Sequence, residues 1–327
     1  MQAATYAKAS VPKTRPRPAE LQHLRPSNRA GALAVAAVAL TTGLGIALAV
    51  QPQLALWAAG QVVLALALVQ WFVVLHECGH DTLFRTRRIH PFVGRIAAAF
   101  AVIPYACWTR IHGRHHRWTG WQDLDPTTEA LVPRARPRFE RVIVNICWKL
   151  SIPLFSIIYR LENYWHLPRL FRFFPSRTER IRMVRDAAIL VGLYGLVTWL
   201  AGPLTLLVTI GPAVLISLMA EDVLLLSQHT HIPQHVSHGE TVRPFPAIEQ
   251  EEFSRSLRLP AWLSTLLLHF DAHELHHMYL FVPGYRLHGV AYTPRNEVGC
   301  WSWIRAAKQV PGEVFLFQNR TESGWKI

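Results

Sequence analysis

The sequence predicts an all-α integral membrane protein with two transmembrane hairpins, four spans in all, and a cytoplasmic helical cap that holds a histidine-caged metal site. Hydrophobic residues make up 51% of the 327 residues, yet the formal net charge is +13. A soluble domain is rarely both so apolar and so basic. A membrane protein with a cationic cytoplasmic face commonly combines the two properties. Long apolar runs in two pairs, and three groups of histidines that directly follow apolar stretches, complete the prediction.

The two hairpins come from apolar runs that are interrupted by short polar or proline-containing turns. Residues 31–50 carry no charge and are long enough to cross a bilayer, and residues 54–75 follow after a three-residue break. Residues 187–200 and 204–226 form the second pair. The first group of histidines continues directly from the second run, so we expect it at the inner end of that span.

The basic residues predict the orientation. All 34 Lys and Arg fall within residues 1–30, 85–185 and 243–327, and none lies in a hairpin. The positive-inside rule therefore places both termini, and all the histidine groups, on the cytoplasmic side. The predicted organisation is a tail, the first hairpin, an interfacial segment, the second hairpin and a cap: 1–30, 31–78, 79–185, 186–228 and 229–327.

Several shorter segments complete the outline. We expect residues 1–30, which are Pro-rich and include Lys8 and Lys13, to form a flexible basic tail that is solvated or touches lipid headgroups. Residues 91–108 and 142–159 are interpreted as re-entrant or interfacial helices, with a fifth and a sixth span as the alternative, and residues 261–270 are too short to span. Four cysteines without a CxxC pair indicate neither a disulfide scaffold nor a thiolate metal site.

The histidine groups carry the chemistry. They are His76 and His80; His112, His115 and His116; and His273, His276 and His277. On a helix, positions i, i+3 and i+4 share one face, so each group presents its imidazoles together. Eight imidazoles exceed the four ligands of a structural zinc site. Two metal ions sharing one histidine cage fit the number better.

The surroundings of these histidines carry a resemblance to a known family. HECGH at 76–80, HGRHH at 112–116 and HELHH at 273–277 resemble the three histidine boxes of the membrane fatty acid desaturase and hydroxylase superfamily. Asp125-Pro126 after the second box and the segment 283–287 after the third are also similar. The resemblance implies a non-haem diiron centre with dioxygen as co-substrate. Imidazole alone does not choose between iron, zinc and copper.

Further ligands and supporting groups follow from the same resemblance and from sequence position. The segment 227–235 resembles the region after the fourth membrane helix of methyl-end acyl desaturases, which implies an additional ligand at His229, with His231 as the second choice. Glu77, Glu274 and Asp271 are expected to orient imidazoles through their distal N–H groups, since metal-bound histidines usually have such partners.

Glu221 and Asp222 interrupt an apolar run. Ionisable groups at membrane depth are costly and usually functional, so both are candidate catalytic residues that support ligands, anchor a water chain or contact substrate. A helix-capping or inter-helix structural role is the alternative.

The resemblance implies an oxygen-dependent fatty acyl desaturase in the lipid bilayer. There is no HPGG haem box and no CxxxxCxxC iron–sulfur motif. Electrons are therefore expected from a separate ferredoxin or cytochrome b5-type donor, and no nucleic-acid partner is expected. A hydroxylase, a carotenoid ketolase or hydroxylase, and an alkene-forming fatty acid decarboxylase remain open. A metal transporter is the alternative of another class.

Overall fold

The computed structural model describes residues 14–325 and 327, and within them the fold is mostly helical. Four of its helices are long and apolar enough to cross a membrane, as the sequence predicts. The predicted tail residues Lys8 and Lys13 lie outside the described residues.

The first two candidate spans form a hairpin. Helix α1 (Asn28–Ala49) and helix α2 (Leu54–Gly79) are joined by a short turn and pack along each other. The most apolar window of α2 is 72% buried, whereas that of α1 is only 22% buried. Helix α2 is therefore the central helix, and the exposed leucines of α1, such as Leu33 and Leu40, form an apolar face suited to lipid.

Two sharply bent helix pairs follow the first hairpin. Helices α3 (His90–Ala101) and α4 (Tyr105–Trp118) meet at 96°. Helix α5 (Arg138–Lys149) meets α6 (Leu154–Arg160), with its π-helical continuation Leu161–Trp165, at 116°. Pro104 and Pro153 lie at the two breaks, where a proline lacks the N–H that would continue the helix. The predicted segments 91–108 and 142–159 are thus bent pairs rather than single helices.

The second pair of candidate spans departs from the predicted hairpin. After α7 (Leu167–Phe173), helix α8 (Arg177–Ala201) is followed by α9 (Pro203–Thr209) and α10 (Gly211–His229). The predicted span 204–226 is broken because Pro212 stands in the first turn of α10. Helix α10 packs mainly against α2, whereas α8 packs against α4. The two helices therefore do not lie along each other as a hairpin would require.

The C-terminal part consists of short elements around the third histidine group. They are strand β1 (Leu257–Arg258), helices α11 (Ala261–Leu266) and α12 (His273–Met278), strand β2 (Val298–Gly299), and helices α13 (Cys300–Gln309), α14 (Gly312–Phe317) and α15 (Arg320–Ser323). The strands pair in parallel, with Leu257 opposite Val298. This two-residue ladder is a small departure from the all-α prediction.

The described part of the N-terminal segment is anchored. Leu21 and Leu24 are buried in an apolar cluster with Leu275 of α12. The Tyr279 hydroxyl donates to the carbonyl of Pro16 at 2.8 Å. The expectation of a flexible tail is therefore wrong for residues 14–27, because apolar burial and hydrogen bonding hold them against the cap.

Candidate metal centre

Nine histidines from four separate segments converge in two adjacent clusters. They are, in the first cluster, His76, His80, His112, His116 and His276, and in the second, His115, His229, His273 and His277. The structure thus brings together all eight box histidines and His229. In each cluster every histidine contributes one ring nitrogen, and these nitrogens all lie within 4.8 Å of one another.

The division between the clusters cuts across the boxes. Helix α4 directs His112 and His116, one turn apart, to the first cluster and His115 to the second. Helix α12 directs His276 to the first cluster and the other two box histidines to the second. Because both helices contribute to both clusters, the clusters must lie side by side.

Close contacts between ring nitrogens test whether metal ions fit. The Nε2 of His112 lies 2.8 Å from that of His80 and 3.0 Å from that of His116. In the second cluster, the Nε2 of His273 lies 2.8 Å from that of His229 and 3.0 Å from that of His277. Two ligands at right angles around a metal about 2.1 Å away lie about 3.0 Å apart.

The protonation of the imidazoles agrees with this fit. Burial, followed by the charges of neighbouring histidines, lowers the pKa of His273, His276 and His277 well below the usual 6.5. These rings are therefore neutral at pH 7 and offer a lone pair. The buried Nε2 of His76 also has no hydrogen-bond partner among the described residues. Converging lone pairs repel one another unless a cation lies between them, so each cluster fits one metal ion.

Asp125 fixes the tautomer of His115. The Nδ1 of His115 donates to Oδ2 of Asp125 at 2.7 Å, which leaves Nε2 as the ligand atom. Thr127 donates to Asp125 from both its backbone N–H and its hydroxyl, each at 2.9 Å. Burial raises the pKa of Asp125, but the neighbouring His115 and the hydrogen bond from the Thr127 N–H outweigh this effect, so the net pKa of Asp125 is lowered. Asp125 is therefore a carboxylate.

Two other contacts orient rings of the second cluster. His277 Nδ1 donates to the side-chain oxygen of Gln250 at 2.9 Å, and the Gln250 amide donates to the carbonyl of His116 at 2.7 Å. His229 Nδ1 donates to the carbonyl of Phe253 at 2.9 Å. Sequence reasoning missed the roles of Asp125 and Gln250. Asp125 follows the second box closely enough to have been found, whereas nothing local marks Gln250.

The three acidic residues expected to orient imidazoles behave differently from one another. Glu77 lies 3.3 Å from Nδ1 of His76 and accepts from the N–H of Gly284 at 2.8 Å. Glu274 instead accepts from the backbone N–H groups of Ser256 and Asn296. Asp271 accepts from a serine hydroxyl outside the nine-histidine group. Only Glu77 thus contacts a box imidazole.

The glycine of the first box makes room for an indole. A Cβ on Gly79 would lie 2.0 Å from the ring of Trp108, so only glycine fits there. Trp108 in turn stacks on His112, with ring centroids 4.3 Å apart. Gly79 thus allows α2 and α4 to approach each other closely enough for both to contribute histidines to the first cluster.

The structure does not bring His231 to the clusters. Its Nε2 is hydrogen-bonded to the Ser323 hydroxyl at 2.7 Å, and its ring stacks near Phe315. The residue adopts a left-handed backbone conformation just after α10 ends, which turns its side chain away from that of His229. We therefore propose no ligand role for His231.

Glu221 and Asp222 have structural partners. Glu221 is buried and accepts from the Arg160 guanidinium of α6. Asp222 accepts from the backbone N–H of Ser156 at 2.7 Å and so caps the first turn of α6. Neither residue belongs to a histidine cluster. The structural alternative raised from the sequence accounts for these contacts, whereas Asp222 also lines the large cavity described next. The catalytic role expected for the two residues therefore stays a prediction.

Two cavities adjoin the histidines. A small one of about 40 Å³ is lined by rings of both clusters, including His76 and His229. A larger, mostly apolar one of about 910 Å³ lies between the bent pair α5–α6 and α10. The two share four lining residues, Thr127, Leu131, Phe155 and Tyr159. The large cavity therefore ends beside the clustered histidine rings.

Comparison with known proteins gives a family match. The family model described as fatty acid desaturase matches residues 52–298. A probable fatty acid desaturase of Sorghum bicolor is 25% identical over 76% of this chain and 66% of its own length. An sn-1 oleoyl-lipid 12-desaturase of Picosynechococcus is 24% identical over 67% of this chain and 63% of its own. An sn-1 acyl-lipid omega-3 desaturase (ferredoxin) of Nostoc is 26% identical over 66% of this chain and 61% of its own length. The chain thus spans slightly less than two thirds of these relatives.

Proposed function

Because this chain belongs to the fatty acid desaturase family, we propose that it is an oxygen-dependent acyl desaturase of membranes with a diiron centre. The observation that carries the proposal is the meeting of two histidine clusters with one apolar cavity at the ends of the candidate spans. Two of the relatives are named as desaturases of lipid-bound acyl chains, one a 12-desaturase and the other an omega-3 desaturase.

The nine clustered histidines would hold two iron ions, five rings around one and four around the other. When bound, the iron ions with dioxygen supply an oxidant strong enough to break an unactivated C–H bond, which no side chain provides. The protein orients the ligands through Asp125, Gln250 and Glu77, and it excludes water from the reacting position by burial.

The substrate is an acyl chain held in the large cavity. Apolar side chains such as Ile143, Phe155 and Ile158 line it, and Phe155 and Tyr159 stand where it meets the small chamber. A flexible chain in an apolar channel has no directional contacts, so the depth of the channel selects the methylene that reaches the metal centre. The polar end of the substrate would remain near Arg134 and Arg172, which line the same cavity.

Orientation and electron supply complete the proposal. Both termini and the metal centre lie on the cytoplasmic side, since the basic residues cluster in the three segments that adjoin it. A separate ferredoxin or cytochrome b5-type protein supplies electrons, in line with the printed name of the Nostoc relative. The arginine-rich cytoplasmic face would attract an acidic carrier.

Product analysis tests the proposal. The protein is expressed with a ferredoxin and its reductase under oxygen, and lipids are profiled by mass spectrometry against a His276→Ala control. We expect an acyl species two mass units lighter that is absent in the control. A species sixteen units heavier would instead indicate a hydroxylase, and a chain one carbon shorter with a terminal alkene would indicate a decarboxylase. Either result would overturn the desaturase assignment.

A further inference from the structure

A second kind of metal-ligating cluster lies outside the nine histidines. His269 and Asp271 stand in the linker between α11 and α12, and His288 stands in the 3-10 helix Gly284–Gly289. Their ligand atoms lie within 4.8 Å of one another. Asp271 is buried, His269 is half-buried and His288 is exposed, so the cluster opens to the surface on one side.

The three side chains surround one hydroxyl. The Ser264 Oγ of α11 donates to Asp271 Oδ1 at 2.7 Å and lies 2.9 Å from His269 Nδ1 and 3.4 Å from His288 Nε2. The two imidazole rings are in contact, with centroids 4.0 Å apart and planes tilted by 43°. Three ligand atoms from two segments thus lie around the same hydroxyl oxygen.

This geometry does not suit nucleophilic catalysis. An activated serine needs an imidazole between its hydroxyl and a carboxylate, so that the ring can take the hydroxyl proton. Here the hydroxyl stands between the imidazoles and the carboxylate and donates its hydrogen bond to Asp271. A set of two imidazoles and one carboxylate with an open fourth position is instead a common donor set for zinc.

We propose that His269, Asp271 and His288 form a third metal site, which binds a divalent transition metal ion such as Zn²⁺. Water or the Ser264 hydroxyl completes the coordination. The carboxylate supplies a negative charge, and burial beside His288 lowers the pKa of His269 to about 4, so its ring is neutral at pH 7. The exposed His288 is free to move by the small amount that tightens the three ligands around an ion.

The proposed ion would tie together segments that hold the nine-histidine centre in place. His269 precedes the third box, and its backbone is in the left-handed region with φ 56°. Gly284, which begins the helix of His288, donates to Glu77 beside His76. A metal bridge between these segments therefore has a structural role. This proposed site is independent of the desaturase proposal, because its metal binding can be measured without enzymatic turnover.

Zinc stoichiometry of the purified full-length protein tests the site. Wild type, His288→Ala and the isosteric Asp271→Asn are equilibrated with Zn²⁺ and dialysed, and metal is counted by mass spectrometry per chain. His23→Ala, which removes another exposed histidine, is the control. We expect one equivalent fewer in both cluster variants than in wild type and the control, with affinity for that equivalent lowered at least about tenfold.

A Ser264→Ala variant separates a metal site from a hydrogen-bonded network. It removes the central hydroxyl but keeps all three ligands, so we expect it to retain the third equivalent. Equal stoichiometry in wild type, His288→Ala and Asp271→Asn would overturn the proposal and leave a hydrogen-bonded network around Ser264. The folded state of each variant is verified by thermal unfolding, and Asp271→Asn keeps the test valid if His288→Ala is unstable.

Discussion

Arg160→Met is expected to destabilise the protein strongly, because it removes the partner of a buried carboxylate. The side chains of Arg160 and Glu221 are only 10% and 3% exposed. Breaking a buried ion pair by removing one partner costs about 3 to 5 kcal/mol, since the other charge stays buried without compensation. For a chain of this size we expect the melting temperature to fall by about 6 to 10 °C, at about 2 °C per kcal/mol.

The double variant Arg160→Met/Glu221→Leu is the matched control. It removes both charges and replaces them with apolar side chains, which is often close to neutral for a buried pair. Arg160 also donates to the carbonyl of Ala101 at 3.3 Å, and losing that bond costs about 1 kcal/mol in both variants. We therefore expect the double variant to recover most of the stability lost by the single one.

Thermal unfolding in detergent, followed by the fluorescence of the 12 tryptophans, measures both variants. Iron content is measured in the same samples. If Arg160→Met matched wild type in melting temperature, or if the double variant were as unstable as the single one, the ion pair would not stabilise the fold as reasoned here. Loss of iron in a thermally stable Glu221→Gln variant would support the catalytic interpretation of that residue.

Three further predictions concern the metal centre and its electron supply. Asp125→Asn keeps a hydrogen bond to His115 but removes the negative charge, so metal affinity should fall about 10- to 100-fold in a competition titration; unchanged affinity would contradict this role. Asp222→Asn still accepts from the Ser156 N–H and should keep iron content and turnover, whereas Asp222→Leu should lower the unfolding free energy by about 1 to 3 kcal/mol; a loss of turnover in Asp222→Asn at full iron content would argue against a purely structural role. Turnover with an acidic ferredoxin should fall several-fold as ionic strength rises from about 0.01 to 0.1 M, where the Debye length shortens from about 30 to 10 Å, while turnover with a small chemical reductant should not; equal salt dependence would exclude electrostatic docking.

The sequence predicted the candidate spans and the convergence of the histidines because both depend on local patterns. The length of a charge-free apolar run can be counted directly in the sequence. The spacing of His112, His115 and His116 shows directly that they share one helix face. The local pattern could not predict which cluster each ring joins. That division depends on how α4 and α12 are rotated against each other, which long-range packing decides.

The remaining differences have the same cause. Glu221 is paired with Arg160, 61 positions away, and Asp222 caps a helix that the sequence placed only loosely at the membrane interface. Gln250 reaches His277 from a 3-10 helix with no metal-binding pattern of its own. Each of these contacts is formed by tertiary packing, so the sequence alone could predict neither the partners of the two acids nor the role of the glutamine.

The number of iron ions per chain in cluster-specific variants tests the central claim most directly. His80 belongs to the first cluster and His229 to the second, and each variant, His80→Ala and His229→Ala, weakens one cluster only. We predict two iron ions per chain in wild type and one in each variant after dialysis, with two retained in the control His231→Ala. A single iron ion in wild type, or full loading of both variants, would contradict a centre built from two separate histidine clusters.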